Sequence, residues 1–233
     1  MDLIIKNLIK KYDKKVVLDD VNYTFSSGKI YGLLGRNGAG KTTFFNCINE
    51  DIPYEDGKFL LTSEYGENIV TSNDIGYVVS TPIVPEFLTG REFLKFFLDI
   101  NKDKNLLSID EYFKLVQIEE DDQDRLLRDY SHGMKNKMQI LINIISNPKI
   151  ILLDEPLTSL DIVVQDEMKK LLKTLKKDHI IILSTHILEL ALDLCDEIVL
   201  LNNKKLTDVE KNNLNTKKYK EKIIKELKED TNV

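Results

Sequence analysis

The sequence predicts an α/β domain built on a mainly parallel sheet, with an N-terminal antiparallel β layer and an inserted α-helical subdomain. The parallel sheet is indicated by short, continuous apolar runs that recur along the 233-residue chain. Strands buried on both faces of a sheet have such runs. Segments of helical length separate the runs, and this alternation is typical of crossover connections between parallel strands. The runs occupy residues 30–34, 75–79, 150–153, 180–183 and 198–201.

The N-terminal segment that precedes the first run has a different period. Apolar residues occur there at approximately every second position, which fits antiparallel strands with one face packed on the core. We therefore expect a small β layer beside the main sheet. The residues that carry this pattern are Leu3, Ile5, Val17, Val21, Tyr23 and Phe25.

Between Pro82 and Pro148 the strand signals are absent and helical patterns replace them. The sequence predicts an all-helical subdomain inserted at about residues 82–148. A run of four acids at residues 119–122 is expected in one of its surface turns, since charge runs usually lie in solvent. The helical patterns cover residues 92–100, 109–116 and 133–145.

The C-terminal segment is rich in Lys, Glu, Asp and Asn. Within it Tyr219, Ile223 and Leu227 recur every four residues, a spacing that would form one amphipathic helix. We interpret residues 1–206 as one domain and residues 207–233 as a charged tail. The tail either docks on a partner, packs on its own domain or frays.

Composition excludes several classes of protein. Hydrophobic residues make up 42% and charged residues 31%, as in ordinary globular proteins, and the formal net charge is −6. An acidic chain is a poor candidate for nucleic-acid binding, which needs clustered Lys and Arg. No stretch approaches the roughly 18 apolar residues of a membrane span, and no secretory signal is recognisable. Cys47 and Cys195 lie outside any CxxC motif, so we expect reduced thiols and a cytoplasmic location.

A phosphate-binding motif follows the first apolar run. Residues 35–42 match GxxxxGK[ST] at every fixed position. The glycines allow successive N–H groups to point at phosphate oxygens, and the next helix presents its positive N-terminal end. Lys41 would bridge the β- and γ-phosphates, and the Thr42 hydroxyl would ligate Mg²⁺. The motif predicts a P-loop NTPase (RecA-like) core whose nucleotide contacts are Gly35, Arg36, Asn37, Gly38, Ala39, Gly40, Lys41, Thr42 and Thr43.

Two carboxylates end a later apolar run. Asp154 and Glu155 follow residues 150–153, at the edge where open α/β sheets bind ligands. Asp154 would hold Mg²⁺ through its water shell, and Glu155 is placed to orient and deprotonate the attacking water. An acid pair at this position favours hydrolysis of the bound nucleotide.

The apolar run at residues 180–183 is followed by Ser184, Thr185 and His186, which we expect at the same edge of the sheet. His186 would therefore lie beside the γ-phosphate, where it could sense that group. The sequence predicts a catalytic set of Lys41, Glu155 and His186.

A second helix start also has anion-binding chemistry. Ser131 is a favourable N-cap for a helix that ends at Pro148, and the hydroxyl of Ser131 with the N–H of Gly133 would form an anion site.

Together these motifs resemble the ATP-binding subunits of ABC transporters. The P-loop and the acidic strand alone do not separate that family from other P-loop NTPases. Residues 130–134, Tyr-Ser-His-Gly-Met, are similar to the family's LSGGQ signature and stand just before the acidic strand. In the family the signature binds the γ-phosphate of ATP held by the other subunit. The resemblance therefore implies that Ser131 and Gly133 contact the ATP of a partner copy.

The resemblance extends from about Leu3 to Leu206. Tyr12 stands where the family places the aromatic residue that stacks on adenine. The segment Ser159-Leu160-Asp161 resembles the D-loop, which crosses the dimer interface in the family. The start of the helical subdomain is similar to the family's at Leu88, Thr89, Arg91 and Glu92.

The chain departs from the family pattern in two places. Ser80 occupies the position of the Q-loop glutamine and is too short to reach Mg²⁺ and the attacking water as glutamine does. His132 replaces a glycine of the signature, and Met134 replaces its glutamine. This variant resembles exporter-type subunits, including those of antimicrobial-peptide and bacitracin resistance systems.

The resemblance implies an ATPase subunit that uses ATP and Mg²⁺, dimerises head to tail as a homodimer or a related heterodimer, and powers export through a separate transmembrane permease. Its expected location is the inner face of the cell membrane. One alternative is a soluble ABC-type ATPase that acts as a regulatory or assembly factor without a membrane partner. Another is a P-loop kinase, which the adjacent acids and the signature-like helix start disfavour.

Overall fold

The protein folds around two β-sheets. The structure, a computed structural model, describes residues 1–64, 66–101, 106–158, 160–209 and 216–228. The antiparallel sheet has the strand order β2-β1-β4-β5, and its strands are β1 (Asp2–Tyr12), β2 (Lys15–Ser26), β4 (Asp56–Ser63) and β5 (Gly66–Ile69). The main sheet has the order β10-β9-β3-β8-β7-β6, with β3 (Ile30–Leu34), β6 (Ile75–Val78), β7 (Ile150–Asp154), β8 (Ile180–Thr185), β9 (Glu197–Asn202) and β10 (Lys205–Asp208). The main sheet is parallel from β6 to β9, and β10 pairs antiparallel with β9.

The main sheet is buried on both faces, as its apolar runs predict. Along β7, Ile150 and Leu152 pack with the antiparallel sheet and helix α1 (Lys41–Ile48), while Ile151 and Leu153 pack on the opposite face. All five residues of β7 are buried. The predicted α/β class, with its antiparallel layer, is confirmed.

The segment after β6 is helical and packs on that opposite face of the main sheet. Its helices are α2 (Gly90–Ile100), α3 (Ile109–Leu115), α4 (Glu120–Gln123) and α5 (His132–Ser146). Thr89 and Glu92 form a capping box at the start of α2. Residues 119–121 are exposed, as expected, but the expected turn is wrong, because Glu120–Gln123 form the single-turn α4 and acids at a helix N-terminus complement the helix dipole.

Two strands of the antiparallel sheet carry no strand signal in the sequence. In β4 only Phe59 and Leu61 are buried, and all of β5 is exposed. An exposed edge strand needs no apolar pattern, so pairing with β4 rather than composition defines β5.

Helices also follow β7, β8 and β10: α6 (Ile162–Leu175), α7 (Leu188–Leu194) and α8 (Thr216–Lys228). In α8 the side chains of Tyr219 and Ile223 are buried against Leu188 and Leu200. The described part of the tail therefore packs on its own domain. Within the described ranges, every helix is too short or too polar to span a bilayer.

The expected boundary at residue 206 falls inside β10, which continues to Asp208. Residues 210–215 and 229–233 of the expected tail lie outside the described residues.

The packing of α8 makes a stability prediction. Ile223 is fully buried, so Ile223→Ala should lower the free energy of unfolding by about 2–5 kcal/mol. Ile69→Ala is the matched control, because Ile69 is 74% exposed and its loss should cost within about 0.5 kcal/mol. Urea titration of both variants measures the difference. Equal stability of the two variants would mean that α8 does not pack on the sheet in solution.

Candidate active site

The loop between β3 and α1 is shaped by its glycines. Gly38 and Gly40 have φ values of 84° and 107°, which glycine adopts without steric cost. A Cβ atom on Gly40 would also come within 2.8 Å of the Val17 side chain. The loop therefore curls over the N-terminus of α1 as the motif predicts, and its backbone closely approaches β2.

Lys41 lies inside this loop. Its Nζ donates hydrogen bonds to the carbonyl oxygens of Gly35 at 2.9 Å and Arg36 at 3.4 Å, and the residue is 8% exposed. Burial lowers the pKa of the ammonium group, against the opposing effect of the nearby Glu155 and Asp154 carboxylates. A positive charge is thus held next to the backbone that would surround a phosphate.

Asp154 connects three elements at the edge of the main sheet. Its Oδ2 accepts a hydrogen bond from Thr42 Oγ1 at 2.8 Å, and its Oδ1 accepts one from Ser184 Oγ at 2.5 Å. The residue is 3% exposed. A carboxylate and a hydroxyl at this distance are the hard oxygen donors that Mg²⁺ prefers, and Mg²⁺ commonly takes its other ligands from water and phosphate. Thr42 and Asp154 therefore fit the divalent cation.

Glu155 has a left-handed backbone conformation, with φ of 49°. Its N–H donates to both the hydroxyl and the carbonyl oxygen of Ser184, at 3.1 and 3.2 Å. Its side chain lies 2.9 Å from the ring of His186, between Oε1 and Nδ1. The structure thus brings the expected general base and the expected sensor into direct contact.

A cavity of about 440 Å³ collects most of the predicted site residues. Ser80 belongs to its wall although its side chain is shorter than glutamine. Tyr12 also lines the cavity and is 47% exposed, and Lys10 Nζ lies 4.6 Å from its ring centroid. The cavity is lined by Tyr12, Lys15, Val17, Asn37, Gly38, Gly40, Lys41, Thr42, Thr43, Ser80, Asp154 and Glu155.

A second cavity, of about 360 Å³, is also lined by residues of this loop. Asn37 lines both cavities, while His186 lines only this one. The remaining walls are Leu34, Gly35, Arg36, Leu188 and Leu227.

Ser131 and Gly133 line neither cavity. Ser131 is the N-cap of α5 and accepts a hydrogen bond from the N–H of Met134 at 3.2 Å. Ala39, a loop residue also expected to contact nucleotide, is partly buried and packs against the hydrophobic core. Leu160 is buried and Asp161 caps α6, whereas Ser159 of the expected D-loop lies outside the described residues.

The sequence motifs assign no role to Ser184 or Thr158. Ser184 is fully buried and bonded to Asp154, and Thr158 Oγ1 donates to Glu155 Oε2 at 2.9 Å. For Ser184 a signal exists in the sequence, because a hydroxyl at the end of a wholly apolar strand needs a buried partner.

Comparison with known proteins identifies the family. A family model described as ABC transporter matches residues 18–158. The uncharacterized ABC transporter ATP-binding protein YhcH of Bacillus subtilis (strain 168) is 31% identical over 217 residues, which are 89% of this chain and 69% of that protein. The bacitracin transport ATP-binding protein BcrA of Enterococcus faecalis is 31% identical over 207 residues, 87% of this chain and 67% of that protein.

Among solved structures, the dimeric post-hydrolysis state of the ATP-binding cassette MJ0796, bound to ADP and Pi, has the same fold. It matches with a TM-score of 0.73 and 23% identity, over 89% of this chain and 99% of that chain.

The bonds of Ser184 make a prediction about the site. Ser184→Ala leaves Asp154 Oδ1 without its buried donor, so it should lower the free energy of unfolding by about 1–3 kcal/mol and also reduce ATP turnover. The exposed Ser72 offers a control, and Ser72→Ala should change neither quantity. Urea unfolding and phosphate release measure both effects. An unchanged Ser184→Ala variant would contradict the hydrogen-bond network described here.

Proposed function

The chain belongs to the ABC transporter family, and we propose that it is the ATP-binding and hydrolysing subunit of a transporter, which dimerises around ATP and powers a separate membrane-spanning partner. The observation that carries this proposal is the contact between Glu155 and His186, near the β3–α1 loop that surrounds the Lys41 side chain. The three residues belong to the same edge of the main sheet, and Lys41 and Glu155 line the same cavity.

In this proposal the loop N–H groups and Lys41 bind the phosphates of ATP. Thr42 and Asp154 hold Mg²⁺, which supplies neutralisation of phosphate charge when it is bound. Glu155 accepts the proton of the attacking water, and His186 keeps the carboxylate directed at that water. Tyr12, half-exposed in the wall of the same cavity, stacks on the adenine.

A second copy completes the site in this proposal. Ser131 and Gly133 line neither cavity of their own chain; Ser131 is exposed, whereas Gly133 is buried beside Leu160 and Val164. In the proposal the exposed Ser131 hydroxyl, with the Gly133 N–H at the N-terminus of α5, binds the γ-phosphate of ATP held by another subunit, of the same or a related sequence. The dimeric state of the MJ0796 cassette supports this arrangement.

Residues 80–88, between β6 and α2, support the proposal of a separate permease. Ser80 lines the nucleotide cavity, while Ile83 and Phe87 are 74% and 78% exposed. The two residues are four positions apart in the sequence, and large exposed apolar patches mark protein interaction sites. The same segment is fixed to the helical subdomain by hydrogen bonds from Gln139 to Ile83 and from Leu127 to Leu88. One short segment therefore joins ATP to the proposed docking surface, which would lie at the inner face of the membrane.

Export is the proposed direction, on the basis of the signature variant at residues 131–134 and the similarity to BcrA. The runner-up is an ABC-type ATPase that acts as a regulatory or assembly factor without a membrane partner. Ser80 favours this alternative, because the Q-loop position is where the family couples ATP to the permease.

The central test is Glu155→Gln. The variant should bind ATP but lose turnover by about 100-fold or more, because the general base is removed, and it should accumulate as an ATP-bound dimer. Phosphate release and size-exclusion chromatography with ATP measure these outcomes. Glu120→Gln, in the exposed α4, is the matched control and should hydrolyse ATP as the parent does. Hydrolysis by Glu155→Gln at the parent rate would refute the assignment of the base.

The permease is tested by affinity capture from detergent-solubilised membranes. The tagged parent should retain an integral membrane protein, and Ile83→Ser with Phe87→Ser should retain less of it while still binding ATP. Ile69→Ser is the matched control, because Ile69 is as exposed as Ile83, at 74%, but lies on β5. Absence of any integral membrane protein from the parent sample would favour the regulatory factor.

A further inference from the structure

Both oxygens of the Glu155 carboxylate have hydrogen-bond partners. Oε1 lies 2.9 Å from His186 Nδ1, and Oε2 accepts a hydrogen bond from Thr158 Oγ1, also at 2.9 Å. Each carboxylate oxygen has about two acceptor positions, so both can still accept a proton from water. Two partners on opposite oxygens restrict rotation of the carboxylate about its last side-chain torsion.

Thr158 is held in place by the turn that follows β7. The N–H of Thr158 donates to the carbonyl oxygen of Glu155 at 3.1 Å, which closes a four-residue turn with Pro156 at its second position. Proline favours this position because its φ is already fixed near that of the turn. The turn returns the Thr158 hydroxyl directly to the side chain of Glu155.

The turn is anchored on both sides. Leu157 is fully buried in the core, and its carbonyl oxygen accepts a hydrogen bond from Gln165 of α6 at 3.2 Å. The carbonyl oxygen of Pro156 accepts one from Asn136 of α5 at 3.4 Å. The two residues that precede Thr158 in the turn are thus held by two helices.

We propose that Thr158 is a positioning residue that fixes the orientation of the Glu155 carboxylate for attack by water. The inference rests on the proposed function, in which Glu155 is the general base. Thr158 does not line the nucleotide cavity, and its hydroxyl is bonded to Glu155, so in this proposal it acts on the reaction through Glu155. It belongs to a pair with His186, with one group on each carboxylate oxygen.

The test removes the hydroxyl while keeping the shape of the side chain. Thr158→Val should lower kcat for ATP hydrolysis about 10- to 100-fold, as is typical when a supporting hydrogen bond to an active group is lost, with KM for ATP unchanged. Thr158→Ser, which keeps the hydroxyl, should retain most of the parent kcat. Thr158→Ala gives a second hydroxyl-free variant if Thr158→Val unfolds. Thr174→Val, which removes a hydroxyl bonded to Leu171 within α6, should have parent kinetics.

A double variant separates positioning from dimer contacts. In the Glu155→Gln background, Thr158→Val should cause no further loss of the residual rate, because two residues that act through one group are not additive. The double variant should also form the ATP-bound dimer at the same ATP concentration as Glu155→Gln alone.

Several outcomes overturn the inference. These are an unchanged kcat for Thr158→Val, a rise in KM without loss of kcat, failure of Thr158→Ser to restore kcat, or a higher ATP requirement for the double-variant dimer. If Glu155→Gln hydrolyses ATP at the parent rate, the proposed function fails together with this inference. If Glu155→Gln is inactive and Thr158→Val is normal, only the inference fails.

Discussion

The buried carboxylate of Asp154 is the constraint on which the site depends. A charged group that is 3% exposed is costly unless hydrogen bonds replace the lost water. Here the hydroxyls of Thr42 and Ser184 supply those bonds, one to each oxygen. The first hydroxyl belongs to α1 and the second to β8, so the stability of the charge requires that the helix and both strands keep their relative positions.

The register of the main sheet meets this requirement. Asp154 pairs with Ser184 across β7 and β8, and Leu34 pairs with Thr185 across β3 and β8. Because these strands are parallel, their carboxyl ends lie at the same edge of the sheet. The β3–α1 loop, the acid pair of Asp154 and Glu155, and His186 are all located at that edge. A shift of one residue in either pairing would turn the polar side chains to the opposite face of the sheet.

Glu155 carries a local cost for its position. A left-handed backbone at a residue other than glycine costs of the order of 1–3 kcal/mol and persists only where its surroundings enforce it. The enforcement comes from Ser184, whose hydroxyl and carbonyl oxygen both accept the Glu155 N–H. Ser184 thus holds the Asp154 carboxylate through its hydroxyl hydrogen and the Glu155 backbone through its oxygens. One buried residue therefore connects the two acids, for which we propose metal binding and proton abstraction.

The parts of the site that depend on local chemistry could be predicted from the sequence, and the parts that depend on tertiary pairing could not. The phosphate-binding loop and the N-cap Ser131 are defined within a few residues, so their types and spacing suffice. The contact between Glu155 and His186 requires the strand order, which the sequence indicates only as a shared edge. The side-chain hydrogen bond from Thr158 to Glu155 joins residues only three positions apart. It nevertheless depends on a turn that is held by hydrogen bonds from α5 and α6. Strand β5 is wholly exposed and has no apolar pattern, so only its pairing with β4 reveals it.

The tail illustrates the same limit. Its four-residue spacing predicts an amphipathic helix but does not indicate the surface that the helix covers. In the structure Tyr219 and Ile223 of α8 pack in one cluster with Leu34, the last residue of β3 before the phosphate-binding loop. Leu227, one turn further along α8, lines the same cavity as Gly35 and His186. The apolar face of α8 therefore packs on Leu34 and Leu188, next to the phosphate-binding loop, although α8 lies outside the family motifs. The charged residues of α8 form only its solvent-exposed face. Its apolar residues pack against the strand and the cavity that adjoin the candidate active site.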